Sequence, residues 1–145
     1  VDILSGPTYK DVHSLMCGTV EAVVNSYETN KYGKKKLGNV INIKSNDKDG
    51  NVVYLLYCHL DKVDVTVGQK VSHGQKIGLS GSTGNASDGS MPNGSPGHGI
   101  SKNYWHVHIE ACSDGAGLVT FFGKDRLQPE NYMKTKFDND GNTIK

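Results

Sequence analysis

Tyr104-Trp105-His106-Val107-His108-Ile109-Glu110, running on into Ala111 and Cys112, is the stretch from which the rest of the chain is read. Strand side chains alternate with period 2, so His106, His108 and Glu110 share one face and Val107, Ile109 and Ala111 the other. The apolar row can anchor such a strand in a core while the opposite face displays two imidazoles and a carboxylate. Taken alone, the pair also fits two core or edge histidines that satisfy each other's hydrogen bonds. The remaining chain has to decide between these readings.

A chain of 145 residues suits one domain with a sizeable core. Eighteen glycines and 35% apolar residues predict many turns between short strands rather than helices, an all-β class. The formal net charge of +1 argues against nucleic acid as a partner. No apolar run approaches a membrane span, and neither a signal peptide nor an initiating Met is present, as expected of a processed protein or an excised domain. Cys17, Cys58 and Cys112 have no Cys-x-x-Cys spacing, which excludes a zinc ribbon and a multi-bridge scaffold. One disulfide plus a thiol, or three buried thiols, both fit. Strand alternation should send Cys58 and His59 to opposite faces, which argues against a nucleophilic Cys–His pair.

Working outward, Asp2 lies in a short apolar segment with Val1, Ile3 and Leu4, either as an exposed end residue or as a metal-binding aspartate on a strand. Ser5 to Cys17 reads as a loop with one short extended piece, and His13 in it as a surface or packing residue. Gly18 to Val24, Val40 to Ile43 and Val52 to Leu60 read as strands. The polar Asn25–Gly38 stretch, with Lys31, Lys34, Lys35 and Lys36, reads as a solvated hairpin loop. Asn46 to Asn51 starts like a calcium loop but lacks the later carboxylates, so a hairpin turn is expected. Alternation in the third strand groups Val53, Leu55, Tyr57 and His59 against Val52, Tyr54, Leu56 and Cys58. Apolar character on both faces implies a central position, with His59 at the strand's end where a site can open.

Val67-Gly68-Gln69-Lys70-Val71 and His73-Gly74-Gln75-Lys76-Ile77-Gly78 echo each other as strand-edge turns, with His73 on the surface. Gly81-Ser82-Thr83-Gly84 then leads into a long polar insertion through Ser101, expected to form one wall of the site, with His98 outside it. Gly115 and Gly117 should break the strand, and Pro129 to Met133 should begin a short helix with Pro in its first turn. The domain is expected to span 1–137, followed by a tail or linker at 138–145.

Asp2, His59, His106 and His108 are the residue types of a catalytic zinc site, where metal-bound water reaches a pKa near ~7. The order Val-Asp-Ile, Gly-Thr-Val, Tyr-Cys-His-Leu, Val-Gly-Gln-Lys-Val-x-x-Gly-Gln-Lys-Ile-Gly, Gly-Ser-Thr-Gly and His-Val-His-Ile-Glu closely resembles the lysostaphin-like zinc endopeptidases that cut peptidoglycan peptides. The resemblance covers residues 1 to 112. It implies the duplicated hybrid motif fold, an antiparallel β-sandwich or open barrel whose long loops form a substrate groove. It also implies Zn2+ as cofactor, Asp2 and His108 as zinc ligands, His59 and His106 as catalytic histidines, and Glu110 as the partner that orients His108. The family's first zinc ligand, a histidine four residues before the aspartate, would lie ahead of Val1. The sequence then either begins just inside the site or has an incomplete metal centre, and retention of the other four residues favours the former. The insertion at Asn85 to Tyr104 is a second departure from the family.

The resemblance implies a peptidoglycan peptide as substrate, a secreted, periplasmic or cell-wall location, and a neutralising protein partner if the role is that of a toxin. The alternative is a non-catalytic binding module on the same fold. A lipoyl carrier or a phosphocarrier, suggested by the repeated Gly-Gln units, fits less well. The first needs a lysine at a hairpin tip, and the second has no use for a His-Val-His-Ile-Glu strand.

Overall fold

The computed structural model describes residues 2–4, 9–26, 37–81, 83, 106–114, 126–133, 136–137 and 143–144. Nine strands join in one sheet: β1 (Asp2–Leu4), β2 (Asp11–His13), β3 (Gly18–Val24), β4 (Asn39–Asn46), β5 (Val52–Val63), β6 (Lys70–Val71), β7 (Lys76–Ser80), β8 (His106–Cys112) and β9 (Arg126–Leu127). Their order is β1-β8-β5-β4-β3-β6, with β7 joined to β5 and β2, and β9 to β8. Every described pairing is antiparallel. A separate ladder pairs β10 (Lys136–Phe137) with β11 (Thr143–Ile144). The all-β architecture expected from the glycine-rich, turn-rich composition is therefore observed, with β5 central between β4 and β8.

The expected strands β4 and β5 are longer than their apolar runs. Polar Lys44, Ser45 and Asn46 continue β4 because Tyr54, Val53 and Val52 lie across from them and supply ladder partners. Asp61, Lys62 and Val63 continue β5 because its far end pairs with β7, Lys62 facing Leu79 and Val63 facing Gly78.

His59 separates the two arms of β5. Its φ is +63°, in the left-handed region that non-glycine residues seldom occupy. Before it, Val53, Leu55 and Tyr57 enter the main core with Val20, Ile41 and Ile43; after it, Leu60 and Val63 enter that same core. The step from Tyr57 to Leu60 breaks the period of two. His59 does not share the face of Val53, Leu55 and Tyr57 as strict alternation predicts, because the left-handed turn hands that place to Leu60. One strand thereby serves two directions of a curled sheet, as bulges do elsewhere in β structure.

The hairpin at residues 46–51 is a turn closed by its own side chain. The Asp47 carboxylate accepts the amides of Asp49 and Asn51, each at 2.9 Å. The echoed units close alike, the Gln69 and Gln75 side chains accepting the amides of Thr66 and Ser72. The expected short helix is a 3-10 helix, Pro129–Tyr132, with Pro in its first turn and extended backbone at Met133. None of the three cysteines forms a disulfide: Cys58 and Cys112 are buried and Cys17 is exposed, which matches neither expected arrangement. Among the described residues no helix is long and apolar enough to cross a membrane. The lysine-rich loop at 31–36, the insertion at 85–104 with His98, and Gly115 and Gly117 lie outside the described residues.

Tyr57 ties the core to the segment before β3. It is fully buried, and its hydroxyl accepts the Leu15 amide at 2.9 Å. Burial pushes its pKa from 10.0 up to about 12. A proton held more tightly in the folded state gives stability that is complete below the unfolded value near 10 and lost as pH rises through about 12. Over that window the parent should lose about 2–3 kcal/mol in urea titrations. Tyr57→Phe should lose less over the same range, while costing about 1–2 kcal/mol at neutral pH for the stranded Leu15 amide.

Candidate active site

The polar row of β8 lies beside β5 in a register that pairs Cys58 with His108, Leu56 with Glu110 and Tyr54 with Cys112. Val107, Ile109 and Ala111 sit in the main core, so apolar packing fixes the strand that displays the histidines. On the other side of β8 the register sets Asp2 across from His108 and Leu4 across from His106. Three neighbouring strands thus bring Asp2, His106, His108 and His59 to one region of the sheet.

His59 arrives there only because of its left-handed backbone. Its ring centroid lies 5.2 Å from that of His106, edge to face at 74°, and 6.1 Å from that of His108. Strict alternation would have turned the ring into the core, away from both. A left-handed non-glycine residue costs about 1–3 kcal/mol and persists only where surrounding contacts over-determine it. Here the His59 amide donates to the Leu37 carbonyl at 2.9 Å. Its Nδ1 lies 2.8 Å from the Thr83 carbonyl oxygen. A carbonyl can only accept, so Nδ1 carries the proton, and the neutral ring keeps its lone pair on Nε2. Cys58 is buried in a second apolar cluster with Val40, Leu56 and Cys112.

His108 is oriented by Glu110. The His108 Nε2 donates to Glu110 Oε1 at 3.0 Å, and Arg126 Nη1 lies 3.1 Å from that same oxygen. Burial alone would raise the Glu110 pKa. The hydrogen bond from His108 and the positive charges of Arg126 and His108 outweigh it, holding the carboxyl below the usual range. Glu110 is therefore an anionic acceptor that fixes the His108 ring, as partners of metal-binding histidines commonly do.

Arg126 and Thr83 were not singled out from the sequence as site residues. Arg126 reaches Glu110 because β9 pairs with β8, Cys112 facing Arg126, a pairing no local pattern announces. Thr83 contributes through its backbone carbonyl, which any residue possesses. His13 and His73 remain exposed, the former donating from Nδ1 to the Gly74 carbonyl.

Imidazole and carboxylate are donors that zinc accepts. Among the described residues no group of three or more His, Cys, Asp or Glu is arranged to hold a metal ion. What the site does assemble is His108 with its orienting carboxylate, Asp2 at the facing register position, and two further imidazoles alongside.

Comparison with known proteins bears on the family and the fold. A family model described as peptidase family M23 matches residues 1–119. The fold is similar to the catalytic domain of the antimicrobial peptidase lysostaphin from Staphylococcus simulans, with a TM-score of 0.54 and 24% identity, covering 86% of this chain and 71% of that one. It is also similar to a chain of the SpoIIQ–SpoIIIAH pore-forming complex, with a TM-score of 0.53 and 25% identity over 87% of this chain and 58% of that one. A curated relative, the peptidoglycan DD-endopeptidase ShyA of Vibrio cholerae serotype O1, is 60% identical over 35 residues, 24% of this chain and 8% of the relative. The matched segment is thus a small part of that protein.

The left-handed backbone at residue 59 has a direct test. His59→Ala and His59→Gly both remove the ring, but only glycine adopts a positive φ without a Cβ penalty. In chemical denaturation the glycine variant should be the more stable by about 1 kcal/mol. An alanine variant as stable as the glycine one would contradict the backbone conformation on which the site rests.

Proposed function

The chain belongs to peptidase family M23, and from that membership we propose that it is a zinc-dependent endopeptidase hydrolysing peptide bonds in the stems or cross-links of bacterial peptidoglycan. The observation that carries this reading is the convergence of His59, at a backbone conformation costly for any side chain, on the His106/His108 pair. A strained residue kept beside two histidines is what a chemical site requires and a merely packed core does not. Lysostaphin is named an antimicrobial peptidase and ShyA a peptidoglycan DD-endopeptidase, which supports the substrate class.

In this reading His108 and Asp2 would hold the zinc, and His108 would offer it Nδ1, since Nε2 is engaged by Glu110. A further ligand would come from the position four residues before Asp2 in the family pattern. Bound zinc would supply a water acidified into the neutral range and polarise the scissile carbonyl. His59, with Nδ1 donating to Thr83, presents Nε2 as the base that takes the proton of the attacking water. His106 donates to the oxygen on which negative charge develops. The returning proton goes to the leaving amine. Peptidoglycan lies outside the cytoplasmic membrane, so the protein would act in the cell wall or periplasm, and a neutralising protein partner belongs to the toxin case.

A second reading is a binding module on the same fold. The described residues form no complete ligand set, and SpoIIQ is a fold neighbour solved in complex with another protein.

Zinc per chain separates the two, measured on this chain and on a form extended upstream. His108→Ala should lower zinc affinity by more than the roughly 10–100-fold typical of losing an outer-sphere partner. His59→Ala should keep zinc and lose roughly 100–10,000-fold in turnover of purified peptidoglycan. Wall binding with neither zinc nor turnover in both forms would leave the binding module.

A further inference from the structure

Thr83 and the segment Leu37-Gly38-Asn39 have no part in the chemistry outlined above beyond two backbone carbonyls. Both nevertheless meet at His59. Asn39 and Thr83 are fully buried polar side chains in an apolar sheet, a placement tolerated only where their hydrogen bonds are satisfied. The Asn39 Nδ2 donates to the carbonyls of Leu60 at 2.9 Å and Asp61 at 3.2 Å. The Thr83 hydroxyl donates to the Leu60 carbonyl at 2.7 Å and accepts the Asn39 amide at 3.0 Å. Three of these four bonds end on Leu60 or Asp61, just after the left-handed turn, and the fourth ties Asn39 to Thr83.

The ladder itself explains why donors are needed there. Register slips between Asn39 and Ile41 on β4, and between Leu60 and Lys62 on β5. Such irregularities take backbone groups out of regular pairing. The two side chains serve those carbonyls in place of strand amides. Gly38 completes the arrangement: its φ is +72°, and a Cβ there would run into the Thr83 hydroxyl. Thr83 is thus located by both functions of its hydroxyl and by the backbone packed against it. Its carbonyl is thereby set on His59 Nδ1.

Resting on the proposed role of His59 as a base, we propose that Asn39 and Thr83 are positioning residues: together they lock residue 59 in its left-handed conformation and its ring in the Nδ1–H tautomer. Free neutral histidine favours the opposite tautomer, with the proton on Nε2 and no lone pair there to receive one. The clamp reverses that preference and leaves the lone pair on Nε2, in a ring whose centroid lies 5.2 Å from that of His106 and 6.1 Å from that of His108.

The tautomer can be read directly, without substrate, from the two ring nitrogens of His59 in the 15N-histidine-labelled chain at a pH above the ordinary histidine range. The parent should show Nδ1–H. Thr83→Val, equal in shape but without the hydroxyl, should shift His59 toward Nε2–H, and Thr83→Ser should restore it. On purified peptidoglycan, Thr83→Val should lower kcat roughly 10–100-fold at nearly unchanged KM, with recovery in Thr83→Ser. A parent with Nε2–H at His59, or a Thr83→Val chain that is less stable yet keeps Nδ1–H, would overturn the proposal. The parent spectrum decides even if the valine variant does not fold, and Gly38→Ala, which displaces Thr83 sterically, supplies an independent shift. A moved tautomer with unchanged turnover would count against His59 as the base and leave the clamp standing.

Discussion

The left-handed turn at His59 is the constraint on which the rest depends. A strand long enough to serve both β4 and β8 at one end and β7 at the other has to change direction, since each set of neighbours imposes its own ladder. Placing the change at one residue shifts the phase of every side chain beyond it. Leu60 and Val63 thereby join the core already occupied by Val53, Leu55 and Tyr57. The residue at the junction is expelled from that core, and its ring reaches the histidines of β8. Curvature of the sheet and assembly of the site are one event.

Such a junction is stable only if its buried polar groups find partners. The exposure of Asn39, Thr83 and His59 is 0%, 0% and 4%, so water cannot serve them, and the hydrogen bonds among Leu37, Asn39, Leu60, Asp61 and Thr83 do so instead. Around His108 the same rule acts through charge. Glu110 is largely buried and stays anionic because His108 and Arg126 share one of its oxygens. In both places an imidazole is held through one ring nitrogen by a fixed oxygen, His59 by the Thr83 carbonyl and His108 by Glu110. Rigidity of this kind is what general acid–base chemistry and metal ligation demand, because both fail when a ring can rotate or change tautomer.

The M23 peptidase fold thus appears here as a way of aiming imidazoles from a β-sheet. Strands hold side chains more firmly than loops do, and the apolar rows of β5 and β8 secure the display from beneath. The family match spans residues 1–119 and so includes all three of these imidazoles.

Much of this was legible along the chain. Alternation in His106–Cys112 correctly divides a polar row from an apolar one, β3 is found at Gly18–Val24 as its pattern predicts, and the order of short motifs identifies the family. These features are local: they depend on a period of two, on turn-forming residues and on motif spacing, all written in consecutive residues. The sequence by itself therefore determined the class of fold, the strand that carries the histidine pair, and the family to which the chain belongs. Tertiary structure alone decided which way His59 points, that Arg126 reaches Glu110, and that Asn39 and Thr83 meet behind the site. The reason is physical: a left-handed residue in a non-glycine strand is selected by the packing and hydrogen bonds of segments distant in sequence, and it works against the local preference of the residue itself.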